Sequence, residues 1–222
     1  MTKTVWTLNV DNYAPEITAL TYPLLRRYAQ KIGAEFVVIT ERRSPLLPPV
    51  YEKLQIFTRG RSSDWNIYID SDALVHPDFF DPTNHLTKDT VLHNGVDMAG
   101  NRWRYDEYFW RDNRHIGSCN WFTVGSNWCL DLWHPLEDLT FAQALENIHP
   151  TAEEVSTNIT RDHLIDDYML SRNIARYGLK CTTLRKMQND LADQGNYLWH
   201  QYTISVSEKA QQMADVLKAW KV

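Results

Sequence analysis

The stretch that decides the fold is Trp65-Asn66-Ile67-Tyr68-Ile69-Asp70-Ser71-Asp72-Ala73-Leu74-Val75. Its first five residues are mostly apolar or aromatic, which favours a buried strand. Two carboxylates, one residue apart, follow this strand directly. In an open α/β sheet, ligands bind in the crevice beyond the carboxyl ends of the strands. We therefore expect the two carboxylates to lie at a binding site.

Strand and helix patterns alternate along the chain before this stretch. A strand pattern at 4–10 is followed by a helix pattern that starts at Pro15 and ends at Gly33. A strand at 35–40 and a helix at about 51–59 then precede the strand at 65–69. This alternation is typical of βαβ units and a parallel sheet.

The second part of the chain is less regular. Its patterns predict strands at 91–92, 121–124 and 179–184, a loop at 97–100, the start of a helix at 128–133, and helices at 161–177 and from Ser205 onward. Ser205 and Glu208 have the spacing of a capping box. We find no internal repeat or linker in the sequence and expect one α/β domain over residues 1–222.

Asp70 and Asp72 offer the hard oxygen ligands that Mg²⁺ and Mn²⁺ prefer, and these ions commonly share their coordination with phosphate oxygens. The alternative is that Asp-Ser-Asp forms only a turn or a helix cap, since these residues are frequent in turns. The position after the third strand of an α/β chain favours the metal site.

Four blocks of the sequence resemble glycosyltransferases of the GT-A type. They are residues 7–14 (Thr-Leu-Asn-Val-Asp-Asn-Tyr-Ala), 51–54 (Tyr-Glu-Lys-Leu), 67–75 around the D-x-D motif, and 119–124 (Cys-Asn-Trp-Phe-Thr-Val). In this order they are similar to parts of the glycogenin-like enzymes and of the Golgi galactosyl- and mannosyltransferase group. The resemblance implies a single GT-A (Rossmann-like) domain with a mixed, mostly parallel central sheet flanked by helices. It also implies a nucleotide-binding half at 1–75 and an acceptor-binding half at 76–222 that includes the C-terminal helix.

The same resemblance implies which residues bind the donor. Thr7, Leu8 and Tyr13 correspond to residues around uracil, with Asn9 beside them, and Asn120 lies on a strand next to the donor sugar. Lys53 corresponds to a basic residue that helps to hold the donor, and Asp70, Ser71 and Asp72 form the metal and sugar-nucleotide motif.

His200, in the segment Tyr197-Leu198-Trp199-His200-Gln201-Tyr202, is implied by the resemblance to complete the metal site with Asp70 and Asp72. An imidazole suits Mn²⁺ better than Mg²⁺. The alternative is a packed, hydrogen-bonded core histidine. The sequence departs from the glycogenin pattern after His200, since Gln and Tyr replace the Gly and Lys-Pro-Trp residues that contact the diphosphate. Lys53, Lys209 or an arginine at 101–115 could take over the neutralisation of the leaving group.

Asp166 and Asp167 are the candidate catalytic carboxylates. In inverting GT-A enzymes an acidic pair precedes a helix and one carboxylate deprotonates the acceptor hydroxyl, whereas retaining enzymes carry an Asp-Gln type pair near the sugar. The chain combines the acidic pair with a late histidine, so the anomeric outcome stays open. The alternative is an acidic pair that stabilises a helix N-terminus through the helix dipole.

Residues 101–115 interleave arginines with aromatic residues and are the candidate acceptor or lid element. A packed surface loop and single-stranded nucleic-acid binding are the alternatives. The net charge of −5 argues against a general nucleic-acid binder. Three scattered cysteines favour a reducing compartment, and no signal peptide or apolar run of about 20 residues is evident, so we expect a cytoplasmic protein without a transmembrane segment.

These observations predict a metal-dependent glycosyltransferase, with Mn²⁺ or Mg²⁺ as cofactor, a nucleotide-sugar (UDP-linked) as donor, and a glycan or other hydroxyl compound as acceptor. The rival enzyme is a Mg²⁺-dependent phosphatase of the haloacid-dehalogenase type, which places its D-x-D on the first strand. A non-catalytic sugar-binding protein is the other rival, although such modules are usually all-β and the chain opens with βαβ units.

Overall fold

A six-stranded mixed sheet forms the centre of the protein in the computed structural model, which describes residues 1–95, 101, 103–105, 120–202 and 204–222. The strands are β1 (Lys3–Leu8), β2 (Glu35–Ile39), β3 (Trp65–Ile69), β5 (Thr90–His93), β6 (Phe122–Ser126) and β7 (Lys180–Thr183), in the order β2-β1-β3-β6-β5-β7. Strands β2, β1 and β3 run parallel, β6 is antiparallel to both of its neighbours, and β5 pairs with β7 in parallel. The expected α/β fold with a mixed, mostly parallel sheet is confirmed.

Helices cover both faces of this sheet. They are α1 (Pro15–Lys31), α2 (Ile56–Arg59), α3 (Phe141–Glu146), α4 (Ala152–Ser156), α5 (Ile165–Tyr177), α6 (Leu184–Asp190) and α7 (Val206–Trp220). All five residues of β3 are buried, and alternate side chains point to opposite faces. Ile67 packs in the same cluster as Leu25 of α1, and Tyr68 packs in the same cluster as Met169 of α5.

Several segments differ in detail from the sequence prediction. The strand expected at 4–10 ends at Leu8. The helix expected at 51–59 is a 3₁₀ segment, Pro49–Gln55, followed by the single turn α2. Residues Asn127–Trp133 and Arg161–Leu164 are also 3₁₀ segments, and the second of these leads directly into α5. In these places the apolar pattern predicted a helix with a buried face but did not distinguish a 3₁₀ helix from an α-helix.

Several helix ends follow the sequence signals closely. Helix α1 begins at Pro15 and gives way to Gly33, whose φ of +67° is accessible to glycine without strain. Helix α5 ends at Gly178 with a φ of +63°. At α7, the Ser205 hydroxyl accepts a hydrogen bond from the Glu208 N–H at 3.3 Å.

The predicted loop at 97–100 lies outside the described residues, as does most of the predicted acceptor element at 101–115. Among the described residues, no helix combines the length and the apolar character needed to cross a membrane.

The C-terminal part of the chain packs next to the D-x-D turn. Strand β4 (Leu74–Val75), which follows this turn, pairs antiparallel with β8 (Leu198–Trp199) in a separate two-stranded sheet. Met213 of α7 packs with Ile17 of α1 and Leu74 in a small apolar cluster. This pairing and packing bring residues near 200 and 209 to the carboxyl end of β3.

Candidate functional site

A cavity of about 760 Å³ lies beyond the carboxyl ends of β1 and β3. The described residues that line it come from the β1 and β3 ends, from the segment around residue 120, from α5 and from the β8–α7 segment. This is the crevice in which open α/β sheets bind ligands. The predicted site residues that line it are Leu8, Asn9, Tyr13, Asp70, Ser71, Asp72, Asn120, Asp166, Asp167 and His200.

The D-x-D residues form a tight turn that is fixed from two sides. The Asp70 N–H donates to the carbonyl of Trp121 at 2.9 Å, and the Asp70 carbonyl accepts from the Ala73 N–H at 3.1 Å. The hydroxyl of Thr21 in α1 donates to the Ser71 carbonyl at 2.6 Å. The segment is thus a turn, and the turn directs both carboxylates into the cavity.

Asp70, Asp72 and His200 converge on one point. One ligand atom from each lies within 4.8 Å of the other two, which makes these three a candidate metal set among the described residues. Two carboxylates and an imidazole are the donor types that suit Mn²⁺ and, less well, Mg²⁺. The pairing of β4 with β8 is what carries His200 to the two aspartates.

Two basic side chains among the described residues, His200 and Lys209, lie against the Asp72 carboxylate. Its Oδ1 lies 3.3 Å from His200 Nε2, and its Oδ2 accepts a hydrogen bond from Lys209 Nζ at 2.6 Å. Burial acts to raise the pKa of Asp72, but hydrogen bonding and charge from His200 and Lys209 outweigh it and hold the pKa well below its usual range. Asp72 is therefore a carboxylate, the form in which it can bind a cation.

Lys53 lies beneath the cavity instead of facing it. Its side chain is 1% exposed, its ammonium pairs with Asp166, and it lies 3.4 Å from Asp70 Oδ1. It also donates to the Asn120 carbonyl. Burial acts to lower the pKa of Lys53, but the charges of Asp166 and Asp70 outweigh it and raise the pKa. In this position Lys53 contacts two carboxylates of the site and does not itself line the cavity.

Asp166 and Asp167 lie in the first turn of α5, as the helix-dipole alternative requires, and both line the cavity. Their partners differ. Asp166 pairs with Lys53, and burial raises the pKa of Asp166 while Lys53 opposes the increase. Asp167 accepts a hydrogen bond from the Tyr105 hydroxyl at 3.0 Å. Asp166 is the carboxylate connected to the metal set, through Lys53 and Asp70.

The end of β1 contributes three of the four expected residues to the cavity. Leu8, Asn9 and Tyr13 line it, whereas the fully buried Thr7 does not, and its Oγ1 has no hydrogen-bond partner among the described residues. Burial, followed by the charges of Asp72 and Asp70, raises the pKa of Tyr13 to about 12. The Tyr13 hydroxyl is therefore close to the D-x-D turn and protonated at neutral pH.

Sequence reasoning missed two features of the site. The first is a buried ion pair that lines the cavity: Arg104 Nη2 lies 2.6 Å from Glu154 Oε1, and Arg104 Nε donates to Glu154 Oε2 at 3.0 Å. No spacing rule connects these residues, 50 positions apart. The second is Trp121, whose ring stacks on His200. The sequence signal that could have indicated Trp121 as a site residue is its position directly after Asn120.

The described architecture is that of a Rossmann-like α/β domain with an acidic turn at the carboxyl end of its third strand. A solved structure with a similar fold is the crystal structure of a glycosyltransferase involved in the glycosylation of the major capsid of PBCV-1. The two chains are 13% identical, the match covers 97% of this chain and 100% of the other, and the TM-score is 0.51. No protein-family model and no curated protein sequence matches the chain. The fold is thus that of a known glycosyltransferase structure.

Proposed function

We propose that the protein is a metal-dependent glycosyltransferase that moves a hexose from a nucleotide-diphosphate sugar, UDP-linked, to a hydroxyl group of a glycan or similar acceptor. The observation that carries this proposal is the convergence of Asp70, Asp72 and His200 at one wall of a large cavity beyond the carboxyl ends of the parallel strands. The similar fold of the PBCV-1 glycosyltransferase supports it.

Asp70, Asp72 and His200 would hold the cofactor, Mn²⁺ or Mg²⁺. When bound, such an ion supplies Lewis-acid stabilisation of the negative charge on the departing nucleotide diphosphate. The turn that carries both aspartates is held by Trp121 and Thr21, so the ligands are already oriented before an ion arrives.

The donor would lie between the β1 end and the metal set. Leu8, Asn9 and Tyr13 line the cavity at the β1 end, where they can surround the base. Ser71 and Asn120 line it next to the carboxylates, where the diphosphate and sugar would lie. The Asn120 side-chain oxygen accepts from the Asn94 amide at 3.2 Å, and this bond fixes the orientation of the Asn120 amide.

Asp166 and Asp167 are the proposed catalytic carboxylates. A carboxylate that accepts the proton of the acceptor hydroxyl works best when its pKa is raised toward the working pH, and burial raises the pKa of Asp166. Tyr105 holds Asp167 in place through its hydroxyl hydrogen bond. In this arrangement Lys53 is a positioning residue for Asp166 and Asp70.

The first test is a thermal-shift screen of the protein against UDP, GDP and their sugars, each with and without Mn²⁺. A ligand that binds only the folded state stabilises it by an amount that grows with the ratio of ligand concentration to dissociation constant. We expect selective stabilisation by a uridine nucleotide that requires Mn²⁺ and is absent in Asp72→Asn. Stabilisation by phosphate analogues with Mg²⁺, and by no nucleotide, would favour the phosphatase instead. Binding of a sugar without a nucleotide or metal would favour the non-catalytic protein.

A further inference from the structure

Lys209 carries a positive charge into the candidate metal site from the C-terminal helix. Its side chain is 4% exposed, lines the cavity and donates to Asp72 Oδ2 at 2.6 Å. Met213 lies four residues later on the same face of α7 and is fully buried against Ile17 and Leu74. The packing of the helix thus fixes the direction in which Lys209 points.

The two oxygens of Asp72 face different partners. Oδ2 is bonded to Lys209, whereas Oδ1 faces His200 Nε2 at 3.3 Å. A cation shared between Asp72 and His200 would therefore use Oδ1, with the Lys209 ammonium on the other side of the same carboxylate. A divalent ion and a buried ammonium held this close repel each other strongly, because little water separates them.

On the basis of the proposed function, we propose that Lys209 makes metal binding depend on the nucleotide diphosphate. Without a diphosphate, the ammonium on Asp72 opposes the binding of a divalent ion. A diphosphate in the cavity brings negative charge next to both cations and offsets their repulsion. Metal and diphosphate therefore bind cooperatively, and the coupling is reciprocal. The protein holds the ion firmly only when a donor or its nucleotide product is present.

The test is the affinity for Mn²⁺, measured from the electron paramagnetic resonance signal of free Mn²⁺ with and without UDP. It compares the wild type with Lys209→Met and with Lys209→Gln, which keeps a hydrogen-bond donor but removes the charge. Lys218→Met is the matched control, because Lys218 is an exposed lysine of the same helix. Lys209→Arg retains the charge.

Both neutral variants should bind Mn²⁺ without UDP at least about tenfold more tightly than the wild type. The factor by which UDP improves Mn²⁺ affinity should fall at least about fivefold in both, and should be unchanged in Lys218→Met and retained in Lys209→Arg. Unchanged or weaker Mn²⁺ affinity in the folded neutral variants, or an unchanged UDP effect, would overturn the proposed role of Lys209 but not the proposed function. If the wild type binds no Mn²⁺ with or without UDP, the proposed function fails as well.

Discussion

The imidazole of His200 stacks on the indole of Trp121, with the ring centroids 5.2 Å apart and the ring planes 13° from parallel. Trp121 also accepts the Asp70 N–H through its carbonyl at 2.9 Å. Trp121 therefore orients two members of the candidate metal set, His200 through its ring and Asp70 through its carbonyl. A stacked ring has little rotational freedom, so His200 presents Nε2 toward Asp72 in the absence of an ion.

His200→Ala should weaken Mn²⁺ affinity at least about tenfold, because it removes one of the three proposed protein ligands. The measurement is an isothermal calorimetric titration of the protein with Mn²⁺ in the presence of UDP. His85→Ala is the control, since His85 is exposed and does not line the cavity. An unchanged titration in His200→Ala would assign this histidine to packing on Trp121 only.

Asp72→Ala should abolish metal-dependent turnover, and it should also lower the free energy of unfolding by about 3 kcal/mol, because it leaves the buried Lys209 ammonium without its carboxylate. Adding Lys209→Met to this variant should recover part of the lost stability. Urea unfolding of the two single variants and the double variant gives the coupling. Additive losses would show that the ion pair does not contribute as the structure indicates.

Lys53→Met should destabilise the protein by about 3–5 kcal/mol at neutral pH, because Asp166 and Asp70 lose a buried counter-ion. Burial already raises the pKa of Asp166, and without Lys53 this pKa should rise further. A carboxyl group whose folded pKa is raised binds more protons in the folded state, so stability falls as the pH rises through that pKa. The loss in Lys53→Met, measured by urea unfolding, should therefore be larger at pH 8 than at pH 5. A loss that is equal at both pH values would contradict this arrangement of charges.

Tyr13 should remain protonated in alkaline solution. Its pKa of about 12 reflects burial first and then the charges of Asp72 and Asp70. At pH 11 the difference in phenolate absorbance between the wild type and Tyr13→Phe should reach only about a tenth of its full value, whereas an ordinary tyrosine with a pKa near 10 is mostly ionised there. In Asp72→Asn the Tyr13 pKa should fall. Ionisation of Tyr13 near pH 10 in the wild type would place its hydroxyl away from the D-x-D turn.

Local patterns predicted several elements of the fold. The strand at 65–69, the helix from Pro15 and the glycine ends of α1 and α5 follow from alternation, capping and φ preferences. The position of the D-x-D motif at the carboxyl end of β3 followed from the βαβ order. These features depend on residues that are close in sequence.

Features that depend on distant residues could not be predicted in the same way. The sequence does not indicate that β6 inserts antiparallel between β3 and β5, because strand pairing is a non-local choice. A lysine in a short 3₁₀ segment, such as Lys53, normally points to solvent, and only the tertiary fold shows that it lies between Asp166 and Asp70. The convergence of His200 on the aspartates rested on a family resemblance, and the β4–β8 pairing now gives its structural cause.

The most direct test of the central claim is the release of nucleotide from a UDP-hexose. The purified protein is incubated with the donor and Mn²⁺, with and without candidate glycan acceptors, and UDP is quantified by chromatography. We expect UDP release that an acceptor accelerates and that excess chelator stops. Asp72→Ala should lack this activity, and Lys218→Met should retain it. UDP release at full rate in the presence of chelator, or in Asp72→Ala, would contradict it.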